Sequence, residues 1–123
     1  MLKNNLYNIQ SFNYKNEALK AIIQLNTNHL IFKGHFPDVP VLPGVIMMQI
    51  VKDLVEVGEE KLLNISKVGN MKFLQMVNPE KNNLLEFEVK IIEKSDEKIR
   101  IKAQSIISKD VCFKMSAHLS IVK

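Results

Sequence analysis

Phe32-Lys33-Gly34-His35-Phe36-Pro37-Asp38-Val39-Pro40-Val41-Leu42-Pro43-Gly44-Val45 is the stretch on which the fold turns. Pro37, Pro40 and Pro43 stand three residues apart. Proline fixes φ and has no N–H, so neither a central strand nor a helix runs through such a segment. A stiff irregular loop must therefore divide the N-terminal part of the chain from the rest. A helix begins directly after it, from Gly44 to Val57. Its polar residues Gln49, Lys52, Asp53 and Glu56 fall at i, i+3, i+4 and i+7, one narrow stripe. The remaining circumference is apolar, so the helix is expected to be mostly buried. Gly58 stands where a left-handed residue would end it. Gln49 is expected at the buried end of the stripe and Glu56 at the wet end.

Around this helix the chain reads as strands. Leu85, Phe87, Val89 and Ile91 alternate with Glu86, Glu88 and Lys90. Ile99, Ile101 and Ala103 alternate with lysine, arginine and glutamine, and Val111, Phe113, Met115, Ala117, Leu119 and Ile121 alternate with a mostly polar set. Period two marks a strand with one buried face. Glu93 to Glu97 and Ser108 to Asp110 supply the turns, so the three strands form an antiparallel meander. Leu19, Ala21, Ile23 and Leu25 share one face of an earlier strand, which Leu6 to Tyr14 joins as a hairpin. Leu62 to Val77 holds one more strand, less cleanly patterned. One long helix wrapped by one antiparallel sheet is an α+β arrangement, and 123 residues suffice for one such domain, residues 1–123.

The composition is that of a globular chain: 46% hydrophobic and 24% charged. The net charge of +4 is spread along the sequence, so nucleic-acid binding is not expected. The single cysteine, Cys112, permits no intrachain disulfide. No apolar run approaches a membrane span or a signal peptide, and a cytoplasmic location is expected. Three histidines without a cysteine or carboxylate cluster at ligand spacing give no metal site.

The proline loop also carries the chemistry. A rigid loop can hold His35 as an acid/base group. The first amides of a helix have no intrahelical acceptor, so the Gly44 N–H can stabilise an oxygen that gains negative charge. From the residues alone, His35 serves equally well as a turn cap, with Gly44 only relieving crowding.

Gly34-His35-Phe36-Pro37-x-x-Pro40-Val41-x-Pro43-Gly44-Val45 resembles the signature of FabZ-type 3-hydroxyacyl-acyl-carrier-protein dehydratases. Met71-Lys72-Phe73-Leu74-Gln75-Met76-Val77-Asn78-Pro79 resembles the family's next block. The resemblance runs from about Ala18 to the end. It implies a hotdog fold, a homodimer or higher homo-oligomer with sites at the subunit interface, and an acyl substrate on the phosphopantetheine of acyl carrier protein. No cofactor of the protein's own is implied. It further implies fatty-acid or related polyene or polyketide synthesis, with (3R)-3-hydroxyacyl thioester converted to the trans-2-enoyl thioester. His35 matches the catalytic histidine, and Gly44 the glycine whose amide binds the thioester carbonyl. Phe36, Pro43, Val45 and Met48 are the residues expected to line the acyl substrate.

The chain departs from the family at three places. The helix carboxylate expected fourteen residues after the histidine is Gln49. Asp38 replaces a small residue, and Met76 replaces a proline. An amide can hold a hydroxyl by hydrogen bonds but cannot donate an acid proton. Three readings of Gln49 are open: a dehydratase in which His35 handles both proton transfers, a thioesterase in which Gln49 positions water, and a non-catalytic subunit that needs a partner. Asp53, one turn further on, is about 5.4 Å from the place of the lost carboxylate and is an unfavoured substitute. Lys33, Lys52 and Lys72 are weighed as a surface for an acidic carrier, against ordinary solvated lysine. His29 is expected at a turn, and His118 and Cys112 on the outward register of the last strand.

Overall fold

A computed structural model describes residues 4–32 and 41–123. Every segment with period two becomes a strand. β1 (Tyr7–Lys15) and β2 (Ala18–Leu25) form the N-terminal hairpin, and β3 (Leu63–Phe73) comes after the helix. β4 (Leu84–Lys94), β5 (Lys98–Ile107) and β6 (Asp110–Ile121) make the meander. The sheet runs β1-β2-β4-β5-β6-β3, antiparallel throughout. Two hairpins close on two residues with positive φ, Asn16 and Glu17 at 54° and 64°, Ser108 and Lys109 at 49° and 72°. That backbone is the type I′ turn, whose twist matches the twist of the flanking strands. Lys94 and Lys98 are joined differently: the Ser95 hydroxyl accepts from the Glu97 and Lys98 amides.

One face of the sheet is dry. Leu19, Ala21, Ile23 and Leu25 are buried, as are Leu85, Phe87, Val89 and Ile91. Ile99, Ile101 and Ala103 join them from β5, and Phe113, Met115, Ala117 and Leu119 from β6. Each large side chain so removed from water contributes about 1.5–3 kcal/mol. Helix α1 (Gly44–Glu59) lies on this face against β2, β3 and β4. Its position is a consequence of the strand order. The chain leaving β2 must reach β3 four strand spacings away, about 19 Å at 4.8 Å each. A helix of 16 residues spans about 24 Å and covers the distance while burying Met47, Ile50, Val51, Leu54 and Val55.

Several expectations are corrected. The helix does not stop at Gly58; it runs to Glu59, and Glu60 takes the left-handed conformation, with φ 56°. Gly58 is small because of a neighbour, since a Cβ there would stand 2.9 Å from the Tyr14 ring. Cys112 is not outward but fully buried. Ser105 pairs with Phe113 and Ile106 with Val111, so Cys112 is the extra residue of a bulge and leaves the alternation. Its thiol donates to the Ser105 carbonyl at 3.4 Å, and burial pushes the thiol pKa up. Bulges between Ile65 and Lys67 and between Val68 and Asn70 explain why β3 reads poorly in sequence. His118 is outward as expected, half-buried between Arg100 and Lys67 on the neighbouring strands. His29 closes a turn, its Nδ1 accepting from the Ile31 amide.

Candidate active site

The helix entry is fixed from two sides. Val41 and Leu42 are buried, and the Leu42 amide donates to the Val77 carbonyl at 2.9 Å. Pro43 is the N-cap, extended at φ −65° and ψ 144°, with no side-chain cap. Its carbonyl accepts from the amides of Ile46 and Met47. The amides of Gly44 and Val45 have no acceptor among the described residues. They stand at the positive end of the helix dipole, where a developing negative charge is stabilised.

Phe73, the last residue of β3, roofs Gly44. A Cβ on Gly44 would lie 2.1 Å from Phe73 Cε1 and 2.4 Å from Cζ. The sequence motif needs glycine here for this reason, and no φ requirement is involved. Phe73 leans on Phe113, ring centroids 5.3 Å apart. Sequence reading assigned Phe73 no role; only the packing of β3 across the helix N-terminus reveals one.

Gln49 does not sit at a buried end of the polar stripe. It is exposed on the single chain, one turn below Val45, which is 62% exposed. Met48 beside it is half-buried and Met47 is in the core. Phe73, Leu74 and Met76 are also more than half exposed, so the end of β3 beside the helix entry presents apolar side chains to solvent. Exposed apolar surface, where it gathers into a patch, marks an interaction or ligand site. His35 and Phe36 lie outside the described residues, as do Lys33 and Asp38. Of the expected site residues, the fold brings Pro43, Gly44, Val45, Met48 and Gln49 onto the first two turns of α1.

The buried residue of the stripe is Asp53, in its middle, and Glu56 at the far end is half-buried and not wet. The Tyr7 hydroxyl donates to Asp53 Oδ2 at 3.1 Å, and Lys52 Nζ lies 3.6 Å from Oδ1. Asp53 therefore anchors β1 to the helix and does not replace a carboxylate at Gln49. Glu56 is half-buried and accepts from the Leu63 amide at 2.7 Å. Lys52 pairs with Asp53 and Glu56 along the helix while Lys72 lies on the sheet, so no common carrier surface forms from these two. Burial raises the Asp53 pKa, against the lowering effects of Tyr7 and Lys52. A carboxyl with a raised folded pKa costs stability as pH rises from its unfolded range through the folded value. Asp53→Asn is thus expected to keep or raise the thermal midpoint at neutral pH and to flatten stability between acid and neutral pH. Tyr7→Phe should instead cost about 1.5–3 kcal/mol, because it leaves a buried charged acceptor without its donor. Chemical denaturation across pH checks both, and a Tyr7→Phe variant as stable as wild type would refute the anchor.

The family model of ApeI-like dehydratases matches residues 10–114. This chain belongs to the ApeI-like dehydratases. It is also similar to FabZ-type 3-hydroxyacyl-[acyl-carrier-protein] dehydratases. The FabZ of Shewanella woodyi is 33% identical over 86 residues, covering 63% of this chain and 55% of that protein. The chain thus matches about half the length of this relative. The FabZ of Petrotoga mobilis is 23% identical over 113 residues, covering 87% of this chain and 80% of its own. Among solved structures, the dehydratase heterocomplex ApeI:P of Xenorhabdus doucetiae matches with a TM-score of 0.72 at 17% identity, over 92% of this chain and 96% of that one. A thioesterase of Pseudomonas aeruginosa matches with a TM-score of 0.67 at 10% identity, over 94% and 81%. These structural likenesses establish the hotdog fold of this ApeI-like chain. Among the described residues no helix is long and apolar enough to cross a membrane.

Proposed function

We propose that this ApeI-like chain dehydrates a 3-hydroxyacyl thioester carried on acyl carrier protein, giving the trans-2-enoyl thioester in fatty-acid or related synthesis. The observation that carries the reading is the helix entry of a dehydratase-family chain. The Gly44 amide has no acceptor among the described residues and stands one to two turns above Gln49. His35 takes the proton from the carbon next to the thioester carbonyl. The carbonyl oxygen gains charge and is held by the Gly44 N–H. The 3-hydroxyl then leaves as water with the proton that the His35 imidazolium returns, and a carbon–carbon double bond remains. Gln49 holds the departing hydroxyl by its amide. The exposed apolar surface of Val45, Phe73, Leu74 and Met76 suits the cover of a second subunit and the path of an acyl chain. The substrate brings its own phosphopantetheine, so the proposed reaction needs no further cofactor.

The test is incubation with a 3-hydroxyacyl carrier-protein thioester, monitoring enoyl product and free acid separately. Enoyl product without free acid is expected. Free acid alone would make the protein a thioesterase, and neither product would place it as a subunit awaiting a partner. Gln49→Glu run alongside should keep turnover and add a carboxylate limb to the pH–rate profile, since a glutamic acid can donate where the amide cannot. An unchanged profile would remove Gln49 from the reacting centre.

A further inference from the structure

The outer face of the sheet, turned away from α1, carries a charge pattern that the proposed reaction does not use. Two cross-strand rows run over β2, β4, β5, β6 and β3. One pairs Lys20 with Glu88, Glu88 with Gln104, Gln104 with Lys114, and Lys114 with Lys72. The other includes Lys90 directly opposite Lys102. The twist of the sheet leaves a groove of about 560 Å³ along these rows. Five lysines line it, Lys20, Lys72, Lys90, Lys102 and Lys114, against Glu88, whose carboxylate already accepts from Gln104 at 2.8 Å. The excess of four positive charges equals the net charge of the whole chain. All five lysines are exposed, and none has an ion-pair partner among the described residues.

Like charges placed directly opposite each other on a sheet are destabilising. Lys90 with Lys102 and Lys72 with Lys114 are two such pairs, and the free chain carries this cost without relief. We propose that this groove is the docking site for an acidic protein face, whose carboxylates lie between the lysine rows. Its chemistry separates this occupant from other anions. No aromatic ring lines the groove, so it offers no platform for stacked bases. It holds no arginine fork for bidentate phosphate recognition. A flat lipid surface does not enter a recessed groove without apolar anchors at its rim. A second copy of this chain, face to face, would set five lysines against five. Point-charge ammonium groups on flexible stems suit a broad, salt-sensitive contact with many carboxylates.

The experiment uses the full chain and poly-L-glutamate as the probe. Amide chemical shifts and calorimetry track titrations at low and at physiological salt. Shifts are expected on residues 88–90, 102–104 and 114–116. Lys90→Gln/Lys102→Gln/Lys114→Gln is expected to weaken binding by about tenfold or more, as removal of three contact cations does. Its thermal midpoint should be no lower than wild type, because both opposed lysine pairs, Lys90 with Lys102 and Lys72 with Lys114, are relieved. Lys15→Gln/Lys61→Gln/Lys81→Gln removes the same net charge elsewhere and should leave binding nearly intact. Equal losses in the two variants would reduce the effect to overall charge and overturn the site. Absence of shifts in the groove would overturn it too, as would a single-stranded oligonucleotide or a phosphatidylserine vesicle binding there more tightly than poly-L-glutamate.

Discussion

His35→Ala is expected to lower enoyl formation by about 100- to 10,000-fold, the usual worth of a positioned acid/base group. The upper part of that range applies if His35 both removes the α-proton and returns it to the departing hydroxyl. With Gln49 in place of a carboxylate, no neighbouring helix residue can take over the second step. Asp53 is held by Tyr7 and faces the core, so its carboxylate is already engaged. The pH–rate profile of wild type should fall on the acid side, where the imidazole is protonated and cannot act as base. That limb should vanish from the residual rate of the variant. Circular dichroism and binding of an unreactive acyl-carrier analogue are expected to remain as in wild type, so that the loss is read in the chemical step alone. A variant within a few-fold of wild type would exclude His35 as the base.

Gly44→Ala is the second large effect, at about 100- to 1,000-fold in turnover, the cost of one displaced oxyanion donor. The reason is steric. The new methyl would stand 2.1 Å from Phe73 Cε1, 2.4 Å from Cζ and 3.0 Å from Cδ1. Carbon atoms rest about 3.5–4.0 Å apart, so the ring or the helix entry must move. The entry is tethered by the Leu42 to Val77 hydrogen bond, and the ring by its contact with Phe113. Either movement shifts the Gly44 amide or the wall beside it. Gly44→Ala/Phe73→Ala relieves the clash and should recover much of the loss. A double-mutant cycle on turnover measures the coupling between the two positions. Full activity in Gly44→Ala alone would show that the Phe73 ring yields without displacing the amide, and would refute the steric coupling.

Much of this was legible in the residues. Alternation in β2, β4, β5 and β6 gives both strand and buried face, because successive side chains of a strand point to opposite sides. The three prolines mark the break before α1, because proline cannot continue either element. The family is legible from Gly34 to Val45, since a long ordered motif is specific even where its roles are untold. β3 was harder, because two bulges break its period. Cys112 was misread for the same reason, since one inserted residue turns a side chain to the other face.

Helix register was legible only as a stripe. Which residue of that stripe is buried depends on what packs there. Tyr7, 46 residues away in sequence, covers Asp53 and leaves Gln49 open. Gly58 shows the same limit: its place at the helix end suggested a cap, and Tyr14 from β1 explains it instead.

The sequence by itself therefore determined the elements, their buried faces and the residues at the helix entry, because periodicity and proline act over a few neighbouring positions. Only the tertiary structure decided what those residues meet. Phe73 over Gly44, Tyr7 on Asp53 and five lysines gathered across five strands all join positions far apart in the chain. Such contacts are set by strand order and register, which no local pattern contains.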